Sequence, residues 1–282
     1  MSTDPTPTRT RTVGRSDRWF WGTAGAVCGL YLAVLGGLIA ADAGYIAGIG
    51  PFAEDKKDAA NPLWSALADP DIRHSLHLTL VSCSITSILS LLTATPIGYL
   101  LSRRQFRGRA LVDTLLDVPI VLPPLAIGVS LLILFQTLPA SLRDAVVYQT
   151  PAVIVAQYVV ASAFAIRSMR VTFDQIDPRL EQVAQTLGAS RLQAFGWVVL
   201  PEARSGMLSA TLLAWARSLG EFGPLLVFAG ATRGKTEVLS TTVFLELSIG
   251  DLRSAVAVSL LMIVISVAAL TLARVLGGRT RD

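Results

Sequence analysis

The chain has 282 residues, of which 52% are hydrophobic and 16% are charged, where a soluble domain carries nearer a quarter charged residues. With a mean hydropathy of +0.57, this composition excludes an ordinary soluble domain and fits one multi-span membrane domain. The net charge of +4 needs no nucleic-acid partner, because membrane proteins are often basic for a topological reason.

Residues 1–18, rich in Thr, Arg and Pro, read as a disordered cytoplasmic tail. The uncharged run Trp19–Ala41 predicts a first span over about 19–42. It is longer than a signal-peptide core of roughly 7–15 residues. The only cysteines, Cys28 and Cys83, sit in apolar runs and give neither a disulfide framework nor a metal set. Tyr45–Arg73 mixes Gly, Pro and acids and predicts an outer loop with a short helix near Pro62–Leu67. His74 and His77, the only histidines, read as polar interface residues, since a stable metal site wants about three or four ligands.

A second span is predicted over 76–102 and a third over 112–137. The third begins with "DVPIVLPPLAIG", Asp117–Gly128. Pro123 and Pro124 each lack a backbone donor and break a helix. Within lipid such a break is tolerated where protein or a water-lined cavity re-satisfies the backbone, so both are pathway or gate candidates. The alternative is an irregular helix start at the membrane interface. A fourth span covers 147–168.

"EQVAQTLGASRLQAFGWVVLP", Glu181–Pro201, is neither apolar enough to span nor polar enough to be a loose loop. Asp177 and Pro178 can start a helix. Leu180, Val183, Ala184 and Leu187 follow helical spacing, and this face is expected to dock on the bundle. Gly188 ends the helix. Ser190 can cap a second short helix through Val199, and Pro201 begins the return to the membrane.

A fifth span is predicted over 204–230, interrupted by Arg217 and Glu221. These lie i, i+4 and are neighbours on a helix. Arg217 is about 18 Å along the helix from Ser205, where a charge costs roughly 2.5–3.5 kcal/mol. The pair reads either as a pathway element or as a buried ion pair that fixes packing. Ser218, Gly223 and Pro224 lie beside it. "AGATRGKT", Ala229–Thr236, fits the permissive pattern of a nucleotide loop. That loop works by following a strand and opening a helix, whereas this one follows a membrane helix on the outer side. It reads as an exit turn with solvated Arg233 and Lys235. Lys235–Arg253 predicts a short interfacial helix, the sixth span covers 253–275, and 277–282 is a short cytoplasmic tail.

Topology follows from the basic residues. With alternating spans and a cytoplasmic N-terminus, sixteen of the 24 Lys and Arg fall on the inner side and six on the outer. Positive residues collect in the cytoplasm. The fold class is therefore all-α and polytopic, with six transmembrane helices, both termini cytoplasmic and a cytoplasmic helical element between spans four and five. No catalytic constellation accompanies it, so an enzyme is not expected.

The stretch after Glu181 resembles the cytoplasmic "EAA" loop of bacterial ABC-transporter permeases: Glu-Ala-Ala, three residues, Gly, nine residues, Ile-x-Leu-Pro. Here Gln182, Val183 and Ala184 are followed at the same offsets by Gly188 and by Val198, Val199, Leu200 and Pro201. The segments 117–128, 219–230 and 234–255 are similar to permeases of the molybdate, tungstate and sulfate branch. Leu122-Pro123-Pro124 resembles the molybdate and tungstate members more closely.

The resemblance implies a permease subunit of the cell inner membrane, paired with a second copy as a homodimer and embedded in lipid. A pair of ATP-binding subunits would drive it, so ATP and Mg²⁺ belong to those partners and this chain holds no cofactor. An extracytoplasmic oxyanion-binding protein would deliver the cargo, molybdate first, then tungstate or sulfate. An ABC permease for another small solute, such as an amino acid, is the alternative. The resemblance assigns coupling to the ATPase to Glu181, Gln182, Ala184, Gly188, Ala189, Ser190, Arg191, Leu200 and Pro201. Because Gln182 replaces the family's Glu, a charged contact falls to Glu181 or Arg191. The chain ends just after the sixth span, so no C-terminal regulatory domain is expected.

Overall fold

The computed structural model describes residues 15–47 and 67–278. The expectations for residues 1–14, for most of the short helix near Pro62–Leu67 and for residues 279–282 lie outside the described residues. The chain divides into two compact units, Met1–Asp58 and Ala59–Asp282.

The first unit contributes one helix, α1 (Arg15–Ile46). Its centre is the uncharged run that predicted the first span, and the helix extends past that run at both ends. The second unit is a helical bundle with no strand among the described residues. In chain order it contains α2 (Pro70–Arg103), α3 (Arg109–Val121), α4 (Pro124–Gln136), α5 (Ala140–Val146), α6 (Thr150–Gln175), α7 (Pro178–Thr186), α8 (Arg191–Ala194), α9 (Leu200–Leu219), α10 (Leu239–Ile249) and α11 (Leu252–Gly278).

Local chemistry sets several boundaries. α2 starts at Pro70, with the Asp69 carboxylate accepting from the Asp71 amide at 2.8 Å. α7 starts the same way at Pro178, with Asp177 accepting from the Arg179 amide at 2.9 Å. Proline lacks the donor that a first helical turn leaves orphaned, and aspartate supplies an acceptor.

α2 and α6 form the centre of the bundle, and α9 packs across both. Small side chains let them approach. Ala152, Ala156, Ala161 and Ala165 of α6 are fully buried, and a methyl on Gly98 of α2 would come within 2.9 Å of the Arg170 nitrogen. α2 turns hydroxyls inward at Ser75, Thr79, Ser82, Thr86 and Ser90. Thr79 donates back to the Ser75 carbonyl at 2.6 Å and Ser82 to that of Thr79 at 3.2 Å, which gives these two hydroxyls an acceptor within their own helix.

Among the described residues, four helices are long and apolar enough to cross a membrane, namely α1, α2, α6 and α11. The predicted third span is not one straight helix. It is two 13-residue helices, α3 and α4, bent by 112°. The residue before a proline is pushed to extended backbone, and Leu122 (ψ 143°) and Pro123 (ψ 132°) both precede one. Asp113 and Asp117, one turn apart on α3, pair with Arg170 and Arg167 of α6 and pin α3 to the bundle. Counted as one span, this pair makes a fifth.

The predicted fifth span, 204–230, also differs. α9 begins at Leu200, carries Glu202, Arg204 and Arg217, and ends at Leu219, with Gly220 as its cap. Its 20 residues reach about 30 Å, but their charges keep it out of the apolar set. The chain then resumes as a π-helical turn, Leu225–Ala229.

Candidate functional site

The element after α6 is two short helices around a glycine, as the sequence predicts. Gly188 has φ +94° and open space around it, a left-handed conformation that favours glycine. The Ser190 hydroxyl accepts from the Gln193 amide at 3.3 Å while the Gln193 side chain accepts from the Ser190 amide at 2.8 Å, a capping box. The second helix does not stop before Pro201. It continues from α8 through a π-helical turn, Phe195–Val199, directly into α9. Pro201 has no amide to give, and the Leu200 amide reaches back five residues to the Phe195 carbonyl. A π-bulge of this kind accommodates the proline. The element is thus mechanically continuous with α9.

The face expected to dock on the bundle points the other way. Leu187 is 84% exposed, and Leu180 and Val183 are exposed as well. The buried residue of α7 is Glu181. Its Oε1 accepts from Arg103 Nε at 2.7 Å and its Oε2 from the Tyr99 hydroxyl at 2.7 Å. Arg103 also donates to the Ile176 carbonyl at 2.9 Å. A buried carboxylate with two donors outweighs the apolar periodicity of a nine-residue helix. Glu181 is therefore committed inward, while Gln182 and Arg191 are exposed, Ala184, Ala189 and Leu200 are half-buried and Pro201 is exposed. Leu192, 80% exposed, joins Leu187 on the outward side of the turn. A cleft of about 730 Å³ lies between the end of α2 and this element, walled by Tyr99, Arg103, Glu181, Gln182, Arg191 and Phe195. Nothing local in the sequence marks Arg103 or Tyr99: Arg103 is one of the sixteen inner basic residues, and no local pattern links it to a partner 78 positions away.

The second group of candidates converges on the two helix breaks. A methyl on Gly223 would lie 2.8 Å from Pro124 Cβ, and one on Gly128 would lie 3.0 Å from Pro224 Cα. The Pro123–Pro124 break of α3–α4 and the Gly223–Pro224 break after α9 therefore pack against each other. Arg217 Nη1 lies 2.8 Å from Glu221 Oε2, and the guanidinium sits 5.6 Å from the centre of the Phe164 ring, a cation–π distance. Ser218 is buried. Its carbonyl accepts from the Gln157 amide at 3.4 Å, and Gln157 in turn accepts from the Thr86 hydroxyl at 3.2 Å. Gln157, a further unforeseen residue, ties the end of α9 to α6 and α2. The Ser240 hydroxyl donates to the Glu221 carbonyl at 2.6 Å.

The loop at Ala229–Thr236 is not shaped as a phosphate cradle. The amides of Lys235, Thr236 and Glu237 all point at the Thr232 carbonyl, at 3.1, 3.0 and 3.1 Å. Thr236 fills the turn, donating to the Gly230 carbonyl at 3.1 Å. Arg233 is not merely solvated, because it pairs with Glu246 at 2.6 Å and with Asp71 at 4.0 Å.

Residues 94–282 match the family described as "Binding-protein-dependent transport system inner membrane component". The chain is 33% identical to the molybdate/tungstate transport system permease protein WtpB of Pyrococcus furiosus, over 78% of this chain and 84% of that protein. The same protein of Pyrococcus abyssi is 38% identical over 59% of this chain and 64% of its own length, a little under two thirds. The sulfate transport system permease protein CysT of Salmonella typhimurium is 33% identical over 70% of this chain and 73% of that protein. The fold matches a chain in the crystal structure of a bacterial alginate ABC transporter in complex with alginate pentasaccharide-bound periplasmic protein. The TM-score is 0.70 at 15% identity, covering 95% of this chain and 96% of that one.

Proposed function

The chain belongs to the family of binding-protein-dependent transport system inner membrane components, and from that premise we propose that it is the permease subunit of an ATP-driven oxyanion importer. It is a multi-pass membrane protein. In this reading it crosses six times with both termini cytoplasmic, and α9 with its following π turn supplies the crossing that apolarity alone does not identify. Two copies form the pathway. A pair of ATP-binding subunits holds the ATP and Mg²⁺, and an extracytoplasmic binding protein delivers the cargo.

The observation that carries the coupling role is the combination of an anchored inner face and an open outer one. Glu181 ties α7 to α2 through Arg103 and Tyr99, while Leu187 and Leu192 face outward on either side of Gly188. An apolar patch of this kind suits a protein partner, and the π turn passes its movement into α9. The pathway role falls to Pro123, Pro124, Arg217, Ser218, Glu221 and Gly223, which the fold gathers at the two breaks. Non-helical backbone at membrane depth is tolerated where it lines a cavity or is buried in protein, and broken spans often mark transport routes.

Molybdate is the first choice of cargo, with tungstate or sulfate next. This is supported by the likeness to permeases named for molybdate/tungstate and for sulfate. The test is ATP hydrolysis by the reconstituted complex with a binding protein loaded with each oxyanion in turn. Stimulation by molybdate above sulfate is the expected result. No stimulation by any of the three would remove the oxyanion reading.

A further inference from the structure

Besides Glu246, which pairs with Arg233, two buried glutamates among the described residues sit beside an arginine, Glu181 and Glu221, and these two are built differently. Glu181 and Arg103 form a closed pair. Each Glu181 oxygen takes a donor at 2.7 Å, and Arg103 spends a further N–H on the Ile176 carbonyl. Glu221 is buried more deeply, at 1% exposure. Although Oε2 approaches Arg217 Nη1 at 2.8 Å, neither Glu221 oxygen accepts a hydrogen bond of good geometry from the described residues. Its compensation is the nearby charge alone.

Arg217 is the freer partner. Its side chain keeps 29% of its surface exposed. A guanidinium offers five N–H donors in a fork that matches an oxyanion bidentately. No hydrogen bond joins Arg217 to any described residue, and the Phe164 ring supports one face of the group.

The level of the pair in the bundle matters equally. Gln157 links the Ser218 carbonyl to Thr86, and Thr86 is the seventeenth of the 34 residues of α2. The fold thus brings Arg217 level with the midpoint of a spanning helix, beside the two packed breaks. An anion at that depth is expensive without a cation.

We propose that the permeating oxyanion takes the place of Glu221 on Arg217, so that Glu221 is a resident counter-anion and Arg217 the transient ligand of a tetrahedral dianion. This rests on the oxyanion-permease reading. While the pathway is empty, Glu221 neutralises Arg217 through a contact that is close but poorly bonded. A dianion with oxygens on every side makes the fork hydrogen bonds that Glu221 does not make, and it displaces the carboxylate. When the cargo leaves, Glu221 returns to Arg217, so the dianion meets a competitor and is not trapped. A neutral solute gains nothing from the exchange and is not favoured at this step.

The test uses the purified permease–ATPase complex without its binding protein, with molybdate as the probe. Glu221→Gln removes the competitor. Equilibrium binding of molybdate should then tighten by about tenfold or more, while ATP-driven transport turnover falls. Arg217→Gln should abolish the added binding, alone and combined with Glu221→Gln. A pair that only fixes packing would not produce tighter anion binding. Glu221→Asp keeps the charge and serves if the Gln variant does not assemble, because drawing the carboxylate back by one methylene should still tighten molybdate binding. An assembled Glu221→Gln or Glu221→Asp complex with wild-type molybdate affinity overturns the proposal. If instead no loaded binding protein stimulates the wild-type complex, it is the oxyanion reading that fails.

Discussion

Gly223 lies directly against Pro124, with room for no side chain between them, and Gly128 lies in the same way against Pro224. Each break in the chain is thus seated in the other, with a glycine opposing a proline twice. Overpacking a tight contact costs about 1–3 kcal/mol. Gly223→Ala and Gly128→Ala are each expected to lower the Tm of the purified permease by several degrees and to impair transport more than stability. The double variant should cost less than the sum, because both changes push the same two breaks apart. Gly196→Ala is the control, since nothing lies within 4 Å of the methyl it would add. Wild-type melting and transport in both single variants would show that the two breaks do not depend on each other.

Glu181, and not the neighbouring Gln182, is the residue that anchors α7 to α2. The side chains of Glu181 and Arg103 are only 11% and 13% exposed, and removing one partner of a buried pair costs about 3–5 kcal/mol. Glu181→Ala is expected to loosen α7 and to abolish stimulation of the ATPase by the permease. Gln182→Glu restores the acid that the "EAA" pattern carries, but at an exposed position. It should leave both Tm and stimulation near wild type. Thermal unfolding and ATPase stimulation of the two variants separate them. Equal effects would remove the assignment of Glu181 to the anchor.

Much of the architecture could be read from the chain because its signals are local. Asp177-Pro178, Gly188 and Ser190 act within a few residues of themselves, and each stands where capping rules put it. Long uncharged runs likewise placed α1, α2, α6 and α11. What could not be read were tertiary contests. The apolar spacing of α7 predicted an inward face, but Arg103 and Tyr99, about 80 positions upstream, draw Glu181 in and turn the leucines out. Pro123 and Pro124 signalled a break, but not its 112° bend or its seat against Gly223. Pro201 suggested a helix boundary, and the chain avoids one with a single π turn.

The outward leucines give a prediction with no stability component. Leu187 and Leu192 are 84% and 80% exposed, so polar replacements lose little packing. Leu187→Ser and Leu192→Ser are expected to melt like the wild type. Each should weaken capture of the ATP-binding subunit by roughly tenfold or more, as loss of a well-buried interface anchor does. Binding titrations with the purified subunits measure this. Unchanged affinity in the double variant would mean that the partner seats elsewhere.

The carboxyls around the start of α10 are expected to make stability depend on pH. Glu237 is 1% exposed, and its Oε2 has no hydrogen-bond partner among the described residues. Burial raises its pKa above the ordinary 4.5, against the hydrogen bond from Thr242 and the charge of Arg233, with Asp71 and Glu246 adding to the rise. Burial raises Glu246 too, against Arg233 and alongside Asp251, Asp69 and Asp71. A carboxyl whose folded pKa lies above its unfolded value contributes stability that is full below about 4.5 and is lost as pH rises through the folded value. Asp251 has the opposite sign. Hydrogen bonds from Ser254 lower its pKa below the ordinary 3.8, so its contribution holds above that value and is lost only in stronger acid. Between these limits the two raised glutamates dominate. Lowering the pH from about 7.5 toward 5 should therefore raise the Tm of the purified permease by a few degrees. Glu237→Gln removes a buried charge while keeping the shape, so it should raise the Tm at neutral pH and flatten the dependence. Glu246→Gln should gain less, because it also gives up the 2.6 Å pair with Arg233. A wild-type Tm that falls steadily over this window, or a Glu237→Gln variant that melts no later at neutral pH, would show that Glu237 is neutralised by a partner in the assembled membrane protein.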